Sequence, residues 1–364
     1  MRSSRAGVNR LTSFPNRESV QFPEDVILRE SSWGEQDEEP HSILVMDTGS
    51  DDPDRIVIFS NPRLISMMKS SKIFQGDGTF KICPPQWHQL YTIHCWNAGR
   101  CIPVIYALLP NSNQHSYRRL MSFIQQQFDE QPNNMVFIID LELAVSNVIL
   151  EVFQDARISF CFFHFQQCHW RKIQELGHQT DFGTDIQFAL KVKRFSALAF
   201  LPLFHVFRAF DLLYNDVIED PRFEEFTTYF ESTFIGQIGR NASRRLPRFP
   251  PERWSQYENI TNDINRTNNR VEGWNNRAKN LAECLHPHPF RLIELLKKDM
   301  ASSDLKLFDI ETGRQLPPQR QRYSDVTTRL KSIVTSNEFE EDGGTGEDEK
   351  IMRFLTSAAR IINY

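Results

Sequence analysis

The chain has 364 residues, enough for one large domain or two ordinary ones, and its 40% hydrophobic and 24% charged residues are typical of a globular protein. Its net charge of −5 argues against a protein that coats nucleic acid over its whole surface, although basic residues are concentrated between residues 240 and 283. Six cysteines are too few for a disulfide-dense framework, no apolar stretch is long enough to span a membrane and no secretory signal follows Met1. We therefore expect a soluble intracellular protein with reduced thiols.

The first 60 residues are expected to form an acidic arm and a hairpin. Residues 1–40 are polar and acidic with little periodicity, as an extended or partly disordered arm would be. Two short apolar runs between Ser42 and Phe59 flank the turn-forming sequence Asp47–Pro53, which predicts a pair of antiparallel strands.

Residues 61–165 have the pattern of a mixed sheet with helices. Alternating and β-branched runs predict three strands, and two continuous apolar runs predict two more. The strands are expected at Lys72–Lys81, Gln89–Trp96, Cys101–Leu109, Met135–Ile139 and Ile158–Phe163, with helices near Tyr117–Phe128 and over Glu142–Phe153. Three consecutive strands followed by a strand–helix–strand unit predict an α/β fold with three antiparallel and then two parallel strands.

The rest of the chain is predicted to be mainly helical. Residues 166–265, including a phenylalanine-rich helix over Lys191–Asn215, would form a helical insertion, and residues 266–300 would return to the core. Residues 301–364 would hold an acidic, glycine-containing linker and a closing helix near Ile351–Ile362.

Two aspartates lie where aspartate is disfavoured. Asp77 falls within the first predicted strand and Asp140 ends the next central strand, so adjacent strands would bring the two carboxylates together. Two anions held close are costly unless a cation lies between them. The alternatives are a turn residue for Asp77, which stands between Gly76 and Gly78, and a helix cap for Asp140.

A third carboxylate, Glu272, lies on a predicted helix. The apolar stripe of this helix comprises Val271, Trp274, Ala278, Leu281 and Leu285, and the amides on the same face as Glu272 are Asn268, Asn275 and Asn276. With Asp77 and Asp140, Glu272 would complete a set of hard oxygen ligands suited to Mg²⁺ or Mn²⁺ in a two-metal site. The alternative is a capping box, in which Glu272 and Asn269 only close the start of the helix.

Four stretches of the chain together resemble a known family. They are Gly76-Asp77-Gly78-Thr79-Phe80-Lys81, Ile139-Asp140-Leu141-Glu142-Leu143-Ala144, Cys161-Phe162-Phe163-His164-Phe165 and Arg266-Thr267-Asn268-Asn269-Arg270-Val271-Glu272-Gly273-Trp274. In this order and at these spacings they resemble the Mutator-like element (MULE) transposase domain, from roughly Pro53 to Pro289. Trp254 also precedes the last stretch much as it does in the family.

The resemblance implies a fold, a chemistry and a location. It implies an RNase H-like fold with a helical insertion between the second aspartate and the glutamate. It makes Asp77, Asp140 and Glu272 the DDE ligands of Mg²⁺ or Mn²⁺ for cleavage and strand transfer of DNA, whereas Glu142 is a neighbour of the site and not a ligand. A protein of this kind would act in the nucleus, as a homo-oligomer on DNA ends.

Two other interpretations stay open. The Cys/His-rich fingers of typical family members are not seen around these stretches, which leaves a truncated gene model, an element remnant or a host protein derived from one. Such a protein could bind DNA or protein without catalysis. A hydrolytic nuclease of the same fold, which cleaves DNA without strand transfer, is the second alternative.

The pair Cys161 and His164 matches the CxxH element of the family and has a spacing that could supply two zinc ligands. Two more ligands would be needed, and Cys168 and His169 are adjacent in sequence, which limits both from pointing at one ion. The sequence therefore favours a buried core cysteine, with His164 supporting the site or facing DNA, over a zinc site.

The basic region between residues 240 and 283 supplies candidates for phosphate contacts, which position DNA without reading its sequence. These candidates are Arg244, Arg245, Arg248, Arg266 and Arg270, with His164 as a further DNA-facing residue. The alternative is a solvated basic face in which the arginines pair with acidic side chains.

Overall fold

The computed structural model describes residues 14–29, 41–239, 243–314, 321–336, 339 and 346–362. Of the predicted acidic arm, residues 1–13 and 30–40 lie outside this described part. Within it the chain folds as mixed α/β, as predicted, around a seven-stranded sheet in the spatial order β3-β4-β7-β6-β5-β8-β9.

The strands of the structure are β1 (Leu28–Arg29), β2 (His41–Ser42), β3 (Leu44–Asp47), β4 (Val57–Phe59), β5 (Ile73–Thr79), β6 (Gln89–Asn97), β7 (Arg100–Leu109), β8 (Val136–Ile139) and β9 (Arg157–Phe160). Strands β1 and β2 form a separate two-stranded sheet. In the large sheet β7, β6 and β5 pair antiparallel, whereas β8 pairs parallel to β5 and β9 parallel to β8. The predicted hairpin is the antiparallel pair β3 and β4, which extends the sheet beyond β7.

The helices are α1 (Glu24–Ile27), α2 (Pro62–Ser70), α3 (Gln114–Gln126), α4 (Leu143–Val152), α5 (Phe162–Glu175), α6 (Gln179–Thr184), α7 (Ile186–Ala197), α8 (Leu203–Val217), α9 (Glu224–Phe230), α10 (Pro251–Trp254), α11 (Tyr257–Thr261), α12 (Asn269–Ala282), α13 (Pro289–Glu311), α14 (Gln321–Ser336) and α15 (Glu347–Ile361). Short 3₁₀ turns cover Leu198–Phe200 and Pro221–Phe223, and a π-helical turn covers Glu231–Ile235. Among these described helices, none combines the length and the apolar character needed to cross a lipid bilayer.

Helices α5 to α9 bury an aromatic core next to the sheet. Phe165 on α5 stacks on Trp254 with ring centroids 5.0 Å apart, and it meets Phe234 edge to face at the same distance. Both phenylalanines and Trp254 are fully buried. Aromatic pairs in these geometries add about 0.5–1.5 kcal/mol each to the energy of burial, so they fix α5 firmly against its neighbours.

Two predicted element boundaries were wrong. The single helix expected over Lys191–Asn215 is two helices, because Pro202 has no N–H to donate and forces Leu201 into an extended conformation. Strand β9 ends at Phe160 and not at Phe163, because α5 begins at Phe162.

The apolar stripe predicted for α12 is also wrong at its end. Leu281 and Leu285 are 61% and 59% exposed, and Ala282 is buried in their place. The helix ends at Ala282 because Glu283 adopts the left-handed conformation with φ of 55°, so that Leu285 lies outside the helix. The buried stripe consists of Val271, Trp274, Ala278 and Ala282.

Candidate metal centre

The parallel pairing of β5 and β8 places Asp77 and Asp140 side by side. Gln75 pairs with Ile138 in this ladder, and each aspartate follows its strand residue by two positions. Both aspartates line one small cavity of about 100 Å³. The two residues therefore meet where β5 passes the carboxyl end of β8, and the sequence predicted that adjacent strands would bring them together.

Gly76 and Gly78 flank Asp77 for a packing reason, not because they form a turn. A Cβ atom on Gly76 would lie 2.6 Å from the hydroxyl of Tyr91, and one on Gly78 would lie 2.1 Å from the side-chain oxygen of Gln89. Asp77 is paired within β5, opposite Thr92 of β6. The alternative of a turn residue is wrong, since the glycines allow close approach of β6 side chains to the strand.

His164 lies between Asp140 and Glu272. Its Nδ1 atom is 2.8 Å from Asp140 Oδ1, and its Nε2 atom is 3.4 Å from Glu272 Oε1. Because one imidazole ring contacts both carboxylates, these two oxygens lie within about 10 Å of each other, a span that a two-metal site requires. The structure thus brings Asp77, Asp140 and Glu272 together from three separate elements.

Asn268 joins the start of α12 to the other two elements of the site. Its backbone N–H donates to the sulfur of Cys161 at 3.2 Å, and its side-chain amide donates to the carbonyl of Gly76 at 3.0 Å. Next to it, the N–H of Phe162 donates to the carbonyl of Arg266 at 3.0 Å. These bonds fix the start of the Glu272 helix against β5 and α5.

A buried carboxylate, Asp299 on α13, holds the middle of α12. Asp299 Oδ2 accepts hydrogen bonds from Trp274 at 2.8 Å and from Tyr106 on β7 at 2.6 Å. Its second oxygen accepts from Arg277 at 2.9 Å. A buried charge with three donors is satisfied, so this network fixes the rotation of α12 about its own axis.

The alternatives that assigned capping roles to Asp140 and Glu272 are wrong. Asn268 occupies the N-terminal cap position of α12, but its side chain makes no capping hydrogen bond to this helix. Glu142, not Asp140, stands at the cap position of α4, again without a side-chain cap bond. Neither carboxylate is therefore explained by closing a helix.

Burial and mutual repulsion alter the acidity of the site. Burial raises the pKa of Asp77 to about 7, and the negative charge of Asp140 adds to this effect. Burial also raises the pKa of Glu272 above its usual value. Burial alone would lower the pKa of His164, but the closeness of Asp140 and Cys161 outweighs it and raises that pKa to about 11. Without a metal, the imidazolium of His164 is the cation that offsets the carboxylates.

Glu142 lines the same cavity as the two aspartates but serves a neighbouring contact. Its Oε1 atom accepts a hydrogen bond of 2.8 Å from the hydroxyl of Tyr117, which in turn accepts one of 3.0 Å from Gln89. Burial raises the pKa of Glu142. These two hydrogen bonds, from Gln89 to Tyr117 and from Tyr117 to Glu142, support one wall of the cavity.

Two histidines of the CxxH region lie in different places, His164 at the candidate metal centre and His169 in the aromatic core. Ligand atoms of Asp140, Cys161 and His164 all lie within 4.8 Å of one another. His169 instead points into the aromatic core, where it is fully buried and its Nδ1 lies 2.7 Å from the hydroxyl of Ser196. His169 therefore lies apart from the cluster of Asp140, Cys161 and His164.

The candidate DNA-contacting arginines fall into two groups. Arg244 is engaged within the protein, with Asp211 at 2.7 Å and Glu231 at 3.2 Å, which is the paired arrangement considered as its alternative. Arg245 and Arg248 are exposed, and Arg248 lies over the ring of Phe249.

The other two arginines are held against aromatic rings near the start of α12. Arg266 lies 5.7 Å from the ring centroid of Phe162, and burial lowers its pKa to about 10. Arg270 lies 4.5 Å from the ring centroid of Trp96, and burial lowers its pKa as well. Both guanidinium groups are partly buried, so they offer less surface to a ligand than Arg245 and Arg248.

Sequence reasoning missed the roles of Asn275 and Asp299. The sequence predicts Asn275 on the same helix face as Glu272, but no local pattern indicates that its amide donates to Asp77, at 2.6 Å. The signal for Asp299 is an acid in the middle of the apolar run that becomes α13. Such a residue is a candidate for a buried, fully hydrogen-bonded carboxylate.

One region of the chain matches the model of a known protein family. Residues 73–168 match the family model described as the MULE transposase domain. The matched region contains Asp77, Asp140, Cys161 and His164 and ends before Glu272. No curated protein matches the chain.

Proposed function

We propose that this chain, in which residues 73–168 are a MULE transposase domain, is a DDE-type enzyme that cleaves DNA strands and transfers them with the help of divalent metal ions. The proposal extends the matched domain by α12, which would supply Glu272 as the third acidic ligand. One observation carries it, namely the meeting of Asp77, Asp140 and Glu272 around His164.

The residues present fit a divalent cation. Asp140 Oδ1 is buried and pairs with the imidazole of His164 at 2.8 Å, so this carboxylate already lies against a positive partner. The raised pKa of Asp77 is the effect expected of anions crowded together with too little positive charge. Asp77, Asp140 and Glu272 would hold Mg²⁺ or Mn²⁺, which prefer hard anionic oxygens.

The mechanism assigns a task to each residue of the site. Bound divalent ions would supply Lewis-acid activation of water or a 3′ hydroxyl and would stabilise the leaving oxygen of the phosphodiester. Asn275 orients Asp77 through its amide, and Asn268 fixes the start of α12 so that Glu272 faces the two aspartates. His164 is protonated and lies between Asp140 and Glu272, and it keeps these carboxylates in place when no metal is bound.

The strand order supports an RNase H-like core within this enzyme. Strands β7, β6 and β5 run antiparallel, β8 and β9 follow in parallel, and the two aspartates stand on β5 and directly after β8. Helices α5 to α11 lie between the second aspartate and Glu272 in sequence and would be the helical insertion. The strands β3 and β4 would be an addition at the β7 edge.

A transposase domain interacts with DNA, and the surface of this chain offers a place for the phosphates. Arg245 and Arg248 are exposed in the segment between the π-helical turn and α10. They would contact phosphates and position DNA without reading its sequence. We further propose that the protein acts in the nucleus and assembles as a homo-oligomer on DNA ends.

A single assay separates this function from its two alternatives. Labelled duplex DNA is incubated with the protein and Mn²⁺, together with an unlabelled target duplex. Nicked product and joined product both indicate a transposase, nicked product alone indicates a hydrolytic nuclease, and binding without products indicates a catalytically silent protein. Asp77→Asn should abolish the products while leaving DNA binding in place.

A further inference from the structure

We propose that Asp140, Cys161 and His164 form a second metal site, selective for a thiophilic ion such as Zn²⁺, that shares Asp140 with the all-oxygen site of the proposed catalysis. The sequence disfavoured zinc because only two ligands were visible. The structure adds Asp140 as the third, at the end of β8, next to the start of α5. Ligand atoms of the three residues lie within 4.8 Å of one another.

The spacing of these atoms is close to that around one tetrahedral ion. Zinc binds sulfur at about 2.3 Å and nitrogen or oxygen at about 2.0–2.2 Å, so two of its ligand atoms are separated by less than about 4.5 Å. Small rotations of the three side chains would bring their atoms to these distances. Three protein ligands leave a fourth position for water, the arrangement of an open zinc site.

The ion pair at this place could exchange its proton for a metal ion. Asp140 Oδ1 and His164 Nδ1 are buried and form an ion pair at 2.8 Å. A metal ligand must be deprotonated, so a bound cation would replace the imidazole proton between these two atoms, next to the sulfur of Cys161.

The surroundings of Cys161 and His164 match those of metal ligands. The backbone N–H of Asn268 donates to the sulfur of Cys161, which also stands at the amino-terminal end of α5, where the helix dipole favours negative charge. With Nδ1 of His164 on the ion, Nε2 faces Glu272 at 3.4 Å. A carboxylate behind a metal-bound histidine orients its ring and raises its basicity.

Sulfur and imidazole make this site different from the oxygen site. A thiolate prefers Zn²⁺ over Mg²⁺ or Mn²⁺, whereas Asp77 and Glu272 offer only hard oxygens. Asp140 belongs to both sets, so an ion at Cys161 and His164 would take Asp140 away from the oxygen site. Zinc would then inhibit the metal-dependent reaction; this consequence, unlike the binding itself, rests on the proposed function.

Cobalt absorption tests the binding without DNA and without catalysis. The metal-free full chain is titrated with Co²⁺, which gives a sulfur-to-cobalt charge-transfer band when a thiolate binds it. We expect the band to saturate at one equivalent and to disappear on addition of Zn²⁺. Cys161→Ser should lose the band, whereas Cys168→Ser, the matched control seven residues further on and within α5, should keep it.

Two further comparisons make the result decisive. Asp77→Asn should keep the cobalt–thiolate band but bind Mn²⁺ more weakly, so that failure of the proposed catalysis and failure of this site give different results. If Cys161→Ser does not fold, X-ray absorption of the wild-type zinc complex should show one sulfur at about 2.3 Å. A wild-type chain with no charge-transfer band, a zinc shell without sulfur, or a band lost in Cys168→Ser would overturn the proposal.

Discussion

The side-chain amide of Asn275 donates a hydrogen bond of 2.6 Å to Asp77 Oδ2, although 198 residues separate the two. This bond joins α12 directly to β5 at the candidate metal centre. It holds one oxygen of Asp77, a residue that lines the same cavity as Asp140. The proposed centre therefore depends on a neutral side chain as well as on its acids.

Removing this amide should weaken catalysis more than folding. Asn275→Ala frees Asp77 to rotate, and loss of such supporting contacts typically costs about 10–100-fold in metal affinity or activity. Mn²⁺ affinity by calorimetry and the rate of DNA cleavage measure the effect. Asn276→Ala, an exposed neighbour on the same helix, is the control and should match wild type. Equal behaviour of the two variants would remove Asn275 from the site.

Asp77→Asn should stabilise the metal-free protein in a pH-dependent way. The folded-state pKa of Asp77 is raised from 3.8 to about 7, so its contribution to stability is present in acid and is lost as pH rises through about 7. The variant keeps an oxygen that can accept from Asn275 and avoids this loss. Its advantage in free energy of unfolding should grow between about pH 4 and pH 7, to at most about 4 kcal/mol, and then stay constant.

Denaturant unfolding of both proteins at several pH values, with metal chelated, measures this difference. The comparison with the variant is needed because His164 also loses stabilisation with rising pH, from 6.5 towards about 11. An advantage that does not change between pH 4 and pH 7 would mean that Asp77 is not buried among anions.

Asp299→Ala should destabilise the fold because it leaves the Trp274 and Tyr106 donors without a partner. Each buried, unsatisfied donor costs about 1–3 kcal/mol, so we expect a loss of about 2–6 kcal/mol in the free energy of unfolding. Asp299→Asn, which keeps one acceptor oxygen, should lose less. Glu294→Ala changes an exposed acid on the same helix and should have little effect. Unfolding in urea distinguishes the three, and a loss below 1 kcal/mol in Asp299→Ala would contradict the role of this network.

The exposed arginines, and not Arg244, should determine the salt dependence of DNA binding. Replacing Arg245 and Arg248 by Gln should flatten the slope of log affinity against log salt by roughly one unit for each lost phosphate contact. Arg244→Gln should instead lower stability, because it breaks ion pairs with Asp211 and Glu231, and should leave the slope unchanged. Fluorescence anisotropy at several salt concentrations checks both. If Arg244→Gln flattened the slope and the Arg245 and Arg248 replacements did not, the ion pairs of Arg244 would have to open when DNA binds.

The order of the strands and the positions of Asp77 and Asp140 could be predicted from local patterns. Alternation, apolar runs and aspartates at strand positions are properties of a few neighbouring residues. The pairing of β3 and β4 was predicted for the same reason. Boundaries set by single backbone conformations, such as the break at Pro202 and the end of α12 at Glu283, were less well predicted.

The contacts between distant segments could not be predicted in the same way. The position of His164 between Asp140 and Glu272 depends on α5 starting at Phe162, before the predicted end of the strand at Phe163. The bonds of Asn275 and Asp299 join residues whose proximity is decided by the packing of α12 on the sheet. A local sequence pattern does not specify how α12 packs on the sheet. It therefore shows which residue types are present but not which of them meet.

The cleavage of DNA by Glu272→Gln in Mn²⁺ tests the central claim most directly. Glutamine keeps the shape of the side chain and can still accept hydrogen bonds, but it lacks the charge that a Mg²⁺ or Mn²⁺ ligand must supply. We expect the variant to unfold at the same temperature as wild type or higher, since one of several crowded carboxylates is neutralised. Cleavage should fall by more than about 100-fold, beyond the loss typical of a supporting contact, and Asp140→Asn should behave alike. Cleavage retained in Glu272→Gln but lost in Asp140→Asn would contradict the account, because Glu272 would then not be a ligand of the catalytic metal.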